Sequence, residues 1–203
     1  MDLLITLEEI PKKIGLFFGS FNPIHLGHLI IGNNIIENTD IEEIWFVVSP
    51  QNPLKEKDTL LEDEIRLNLV KTSIKDNNKF NICDVEFYLE KPSYTYNTLK
   101  FLKQEHSLYE FVLIIGEDNL MCFELWRDYQ RIIDEFKILV YPRANCKTDK
   151  FDKEKNIIRI KSPIIEISST QIREDIRNGK SIQYLVMEDV RKEILKNKYY
   201  CNN

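Results

Sequence analysis

Residues 19–28 read Gly19-Ser20-Phe21-Asn22-Pro23-Ile24-His25-Leu26-Gly27-His28. The two imidazoles lie three positions apart. If a helix begins near His25, that spacing puts both rings on one face, close to the unpaired N–H groups of the helix N-terminus. A terminus of that kind attracts anions. A phosphate group suits the arrangement best, because imidazole N–H donors stabilise charge that moves between its oxygens as a bond breaks. Gly19 permits a sharp turn and close approach of a ligand to the main chain, and Pro23 stiffens the loop. His25 and His28 are therefore assigned to a triphosphate. Two other readings compete with this one: histidines that merely pack, and a zinc pair, for which the only remaining histidine is His106, far along the chain.

A second cluster, Ile167-Ser168-Ser169-Thr170-Gln171-Ile172-Arg173, follows an apolar stretch and opens a predicted helix. Hydroxyls and free N–H groups at a helix start suit phosphate oxygens, and Arg173, one turn in, adds a forked cationic donor. Ser168 with Gln171 is also an ordinary capping box, and Arg173 could be a solvated helix residue. Two better-known phosphate loops are excluded. Gly179-Lys180-Ser181 ends like a P-loop, but Glu174 stands where that loop needs its first glycine, and no Gly-x-Gly-x-x-Gly run occurs among the six glycines.

Taken together, Gly19-x-Phe21-x-Pro23-x-His25-x-Gly27-His28 after a first strand and the Ile-Ser-Ser-Thr-x-x-Arg element at 167–173 resemble the signature of the nucleotidyltransferase superfamily with the paired-histidine motif. Three further segments narrow the resemblance to nicotinate-nucleotide adenylyltransferase. Ser49-Pro50-Gln51-Asn52-Pro53-Leu54-Lys55 resembles the proline-rich loop after the second strand. Lys91-Pro92-Ser93-Tyr94-Thr95 is similar to the loop that receives the nicotinate ring, and Ile114-Ile115-Gly116-Glu117-Asp118-Asn119 with Trp126 to the remaining acceptor wall. The likeness runs from Lys13 to Tyr199. It departs from the family pattern at Asn22, where many relatives have Asp, and at Leu54, where many have His.

The resemblance implies a Rossmann-like fold and adenylyl transfer from ATP to nicotinate mononucleotide, giving deamido-NAD and pyrophosphate. It implies catalysis by His25, His28, Lys55 and Arg173. ATP would be held by Gly19, Ser20, Phe21, both histidines, Asp118, Ile167, Ser168, Ser169, Thr170 and Arg173. The acceptor would meet Ser20, Asn22, Lys55, Tyr94, Thr95, Trp126 and Arg127, with the Trp126 indole stacking on the pyridine ring. Arg143 resembles a family arginine without an assigned role. Singly, each side chain has a plainer reading: Trp126 as core filler, Thr95 as a helix cap, Lys55 as a solvated charge. No carboxylate cluster for a metal held by the protein alone is visible, so magnesium is expected to arrive on the phosphates of ATP.

Elements must position these groups. Apolar, β-rich runs recur at 14–18, 44–48, 80–83, 111–115, 136–141 and 157–160. Helical periodicity falls at 28–37, 63–75, 96–105, 125–135, 169–178 and 188–196. Strand then helix, repeated, predicts an α/β fold with a doubly wound parallel sheet whose ligands bind beyond the carboxyl ends of the strands. With 203 residues, 43% of them hydrophobic and 30% charged, one domain is expected, with 1–11 as an N-terminal extension and 168–203 as a helical end. A net charge of -5 argues against nucleic acid and acidic membranes as partners. Cys83, Cys122, Cys146 and Cys201 are widely spaced, and no leader or spanning stretch opens the chain, which points to a cytoplasmic protein with free thiols.

Overall fold

The computed structural model describes residues 11–50 and 60–201. Among them, six strands form one sheet: β1 (Lys12–Gly19), β2 (Glu43–Val48), β3 (Phe80–Cys83), β4 (Tyr109–Gly116), β5 (Lys137–Tyr141) and β6 (Ile157–Arg159). Their spatial order is β3-β2-β1-β4-β5-β6, and every neighbouring pair is parallel. The chain winds outward from β1 to β3, then returns beside β1 and winds the other way. The order therefore reverses between β1 and β4, and the crevice beyond their carboxyl ends is where such sheets bind ligands.

Parallel strands need crossovers, and helices supply all of them but the one from β5 to β6. α1 (Leu26–Asn38), α2 (Asp63–Ile74), α6 (Ser169–Arg177) and α7 (Glu188–Asn197) cover one face. α3 (Thr95–Glu105), α4 (Glu117–Met121) and α5 (Tyr129–Glu135) cover the other. The alternation along β4 shows why both faces are closed: Val112 and Ile114 enter the first core, and Phe111, Leu113 and Ile115 the second.

Two expected elements differ. α1 begins at Leu26, two residues before the predicted start, with His25 as its N-cap in extended conformation. The helix expected over 125–135 is broken. A 3-10 turn covers Phe123–Leu125, Trp126 is extended, Asp128 adopts a left-handed φ of 59°, and only then does α5 begin. Aspartate tolerates that conformation, which spares the chain a glycine at the break. The periodic apolar residues misled here because Leu125 is 74% exposed. The short α4 carried too few residues to show periodicity.

Candidate active site

A cavity of about 320 Å³ opens above β1 and β4. Its floor is the exit of β1, where Gly19, Ser20 and Phe21 line it together with His28. Phe21 holds a positive φ of 43° and is buried, its ring packed edge-on against His28 at 5.1 Å and near Phe46 at 5.7 Å. Packing from several sides holds that strained backbone in place. The bond between Asn22 and Pro23 is cis.

Because α1 starts just after His25, the two imidazoles stack with centroids 3.7 Å apart and planes 24° from parallel. The backbone N–H of His25 donates to His28 Nδ1 at 3.3 Å. In its neutral form the His28 ring therefore carries its proton on Nε2, so that side of the ring is the donor. His28 lines the cavity, and His25 lies behind it, 4% exposed. Burial, reinforced by the nearby Arg143 guanidinium, pushes the His25 imidazole down from 6.5 to about 3. A Cβ on Gly27 would come within 2.9 Å of the His25 ring, so glycine is what lets that ring fold back over the helix start. The first turn of α1 contains no acidic residue to repel an anion.

The second motif meets the first here. Ser169 lines the cavity and donates its hydroxyl to the Pro23 carbonyl at 2.8 Å. Arg173 donates to the Asn22 carbonyl at 2.8 Å and to the Thr170 hydroxyl at 3.3 Å. Ser168 is the N-cap of α6, its Oγ accepting from the Gln171 N–H at 3.2 Å. Ile167 is half-buried and packs on the first core. Ser169 is thus the residue of 167–173 that lines the cavity, while Arg173 ties α6 to the first motif, Thr170 accepts from Arg173 and Ser168 caps the helix.

The opposite wall comes from the other face of the sheet. Tyr94, the N-cap of α3, and Thr95, its first residue, line the cavity, and Thr95 is not the cap. The Arg127 guanidinium sits 4.6 Å above the Tyr94 ring. Trp126 lines the cavity, rests on Phe123 with centroids 5.1 Å apart, and has a buried Nε1–H without a hydrogen-bond partner. Asp118 and Arg143 complete the rim, Arg143 Nε lying 3.7 Å from the Asp118 carboxylate. A Cβ on Gly116 would run into that carboxylate and push it from its place beside Arg143. Asn22 does not line the cavity: it is buried, and its Oδ1 accepts the Leu61 N–H at 3.2 Å. Lys55 and Leu54 lie outside the described residues.

Among the described residues no group of three or more His, Cys, Asp or Glu side chains converges as a metal site. His106 stacks on Tyr109, where β4 begins, away from the crevice. No described helix is long and apolar enough to cross a membrane. Two charged residues that the sequence reading passed over support the cavity from below. Arg66 is completely buried in α2. Glu86, 2% exposed, accepts from Ser93 at 3.2 Å and Thr98 at 2.8 Å, and burial raises its carboxyl above the usual range. Arg66 was detectable, since it falls on the stripe formed by the buried positions Leu69, Val70 and Ser73 of the same helix.

The cytidylyltransferase-like family matches residues 16–175. Over 94% of this chain and 99% of its own length, a probable nicotinate-nucleotide adenylyltransferase of Cytophaga hutchinsonii is 48% identical. One from Flavobacterium psychrophilum is 50% identical over 93% of this chain and 98% of its own. Among solved structures, the Plasmodium falciparum nicotinic acid mononucleotide adenylyltransferase complexed with NaAD superposes with a TM-score of 0.80 at 25% identity, covering 93% of this chain and 97% of that one. By sequence along nearly its whole length and by fold, the chain belongs to the nicotinate-nucleotide adenylyltransferase family of nucleotidyltransferases.

Proposed function

We infer that the chain transfers the adenylyl group of ATP to nicotinate mononucleotide, releasing pyrophosphate and forming deamido-NAD, a step of NAD biosynthesis. The observation that carries this reading is the shared cavity. His28 from the first motif, Ser169 from the second and the Tyr94, Trp126 and Arg127 wall all line it. One side suits a triphosphate, and the other suits a flat anionic ring.

The phosphate of the mononucleotide attacks the α-phosphorus of ATP in line, and pyrophosphate departs. No protein nucleophile is required. The chain's work is to hold two anions at the right separation and to stabilise charge as it moves onto the leaving group. His28 Nε2–H supplies that stabilisation, aided by the positive end of the α1 dipole. His25 keeps the His28 ring oriented through stacking and its backbone N–H. Arg173 and Ser169, bonded to the Asn22 and Pro23 carbonyls, hold the two motifs together. Lys55 is the family-implied cation for the phosphates. Magnesium enters as part of the ATP substrate and neutralises phosphate charge.

On the acceptor side, Trp126 offers an indole face for the pyridine ring. The Arg127 guanidinium beside it is a charged donor, which favours the carboxylate of nicotinate over the neutral amide of nicotinamide.

Pyrophosphate release is the decisive assay, run with ATP against nicotinate mononucleotide, its amide analogue and phosphopantetheine. Turnover with the first well above the other two is expected. Turnover with phosphopantetheine instead would move the chain to another acceptor, and binding without turnover would make it a nucleotide sensor.

A further inference from the structure

Arg66 lines no part of the cavity, yet every N–H of its guanidinium is used. Nε donates to the Leu61 carbonyl at 3.0 Å. Nη1 donates to the Ser20 carbonyl and to the Ser49 carbonyl, the latter at 2.9 Å. Nη2 donates to the Pro50 carbonyl at 3.3 Å and to the Asp63 carboxylate at 2.6 Å. An arginine has five such donors, and here all five are taken, four of them by main-chain carbonyls. Those carbonyls come from three separate places: the exit of β1, the exit of β2 and the approach to α2.

The three places are also tied to one another. Ser49 N–H donates to the Gly19 carbonyl at 2.9 Å. Leu61 N–H donates to Asn22 Oδ1 at 3.2 Å, so Leu61 is gripped on its N–H by the first motif and on its carbonyl by Arg66. The hydroxyl of Ser49, a residue of the cavity wall, is bonded to Glu86, beneath the Ser93 loop on the acceptor side. One buried cation therefore joins the loop that carries the phosphate donors to the segments that lead towards the acceptor. Carbonyl oxygens and a single carboxylate, Asp63, are what compensate its charge.

We propose that Arg66 is a positioning residue for the transfer reaction: without touching substrate, its guanidinium sets the spacing between the triphosphate and acceptor halves of the site. The proposal rests on the adenylyl-transfer reading. It predicts a particular kinetic signature, because each half-site keeps its own donors when Arg66 changes and only their mutual placement is lost. Small misplacements of reacting groups are costly in turnover. Lysine preserves charge but has a point-like head with three donors, which cannot span three loops at once.

The test uses the full chain with Arg66→Lys and Arg66→Met. Three quantities are measured for each: pyrophosphate release at saturating ATP and nicotinate mononucleotide, ATP affinity by calorimetry without acceptor, and folding by circular dichroism. For folded Arg66→Lys, kcat is expected to fall roughly tenfold or more, with ATP affinity within about threefold of wild type. Arg66→Met should be at least as impaired. Turnover of a folded variant within about threefold of wild type overturns the proposal. So does a loss of ATP affinity that matches the loss of turnover, since that marks general collapse of the site. If neither variant folds, Arg66 serves stability instead, and the proposal fails. An inactive wild type in the same assay refutes the adenylyl-transfer reading itself, a result distinct from an active wild type with an unimpaired variant.

Discussion

His28 reaches the cavity as a hydrogen-bond donor because its other ring nitrogen is already committed to the His25 backbone N–H. Alanine at 28 removes that donor and leaves the buried neighbours in place. His28→Ala should stay folded and lose about a hundredfold or more in turnover, the scale of losing one donor to developing charge; steady-state pyrophosphate release checks it. His25 makes a different prediction because it is buried. Its folded value near 3 lies below the ordinary 6.5, so the folded chain binds fewer protons than the unfolded one. The neutral ring's contribution is present in full above 6.5 and is lost as pH falls through the window down to about 3. Denaturant titrations across that window should show the wild type losing a few kcal/mol more than His25→Asn, whose side chain does not titrate. Equal acid sensitivity would remove His25 as a source of it.

At the scale of elements, the break before α5 is what gives the acceptor wall its shape. Had 125–135 remained one helix, Trp126 would lie on the same helical surface as Tyr129. The extended residue at 126 and the left-handed residue at 128 turn the indole towards the cavity instead. Exchange of Trp126 for Ala should therefore raise KM for nicotinate mononucleotide roughly tenfold, with ATP affinity kept. Kinetics with the acceptor varied, beside calorimetry with ATP, separate the two, and equal weakening of both substrates would contradict a stacking role. α1 works in a complementary way: its early start makes His25 the cap and so places both rings at the terminus rather than along the helix.

For the molecule as a whole, the two motifs lie at opposite ends of the chain and meet through Ser169 to Pro23 and Arg173 to Asn22. The C-terminal helices close the same face, and Leu26 N–H is held by the Leu185 carbonyl at 2.9 Å. Tyr200 then tucks in behind, 9% exposed, where burial pushes its hydroxyl above the usual range against the opposing pull of the nearby Arg173 and Arg66. Its hydroxyl is buried without a hydrogen-bond partner. Removing such a group by Tyr200→Phe should leave stability unchanged or raise it by up to about 1 kcal/mol, because the desolvation cost of the hydroxyl disappears. Urea denaturation measures this, and a clear loss of stability would mean that the hydroxyl is satisfied in solution.

Local chemistry determined by the sequence included the imidazole pair at a helix start, the hydroxyl-rich start of α6, the six strands and the alternation that required helices on both faces. Each depends on neighbours within a turn or on a period of two or three and a half residues, and such signals survive in a linear string. Only tertiary structure decided which residue of 167–173 lines the cavity, that Asn22 is a buried bridge to Leu61, and that Arg66 and Glu86 stand beneath the site. Those outcomes depend on where separate segments come to rest against one another. A buried charge shows in sequence as a misfit on an apolar stripe, but the carbonyls that make it tolerable come from three loops whose meeting only the folded sheet brings about.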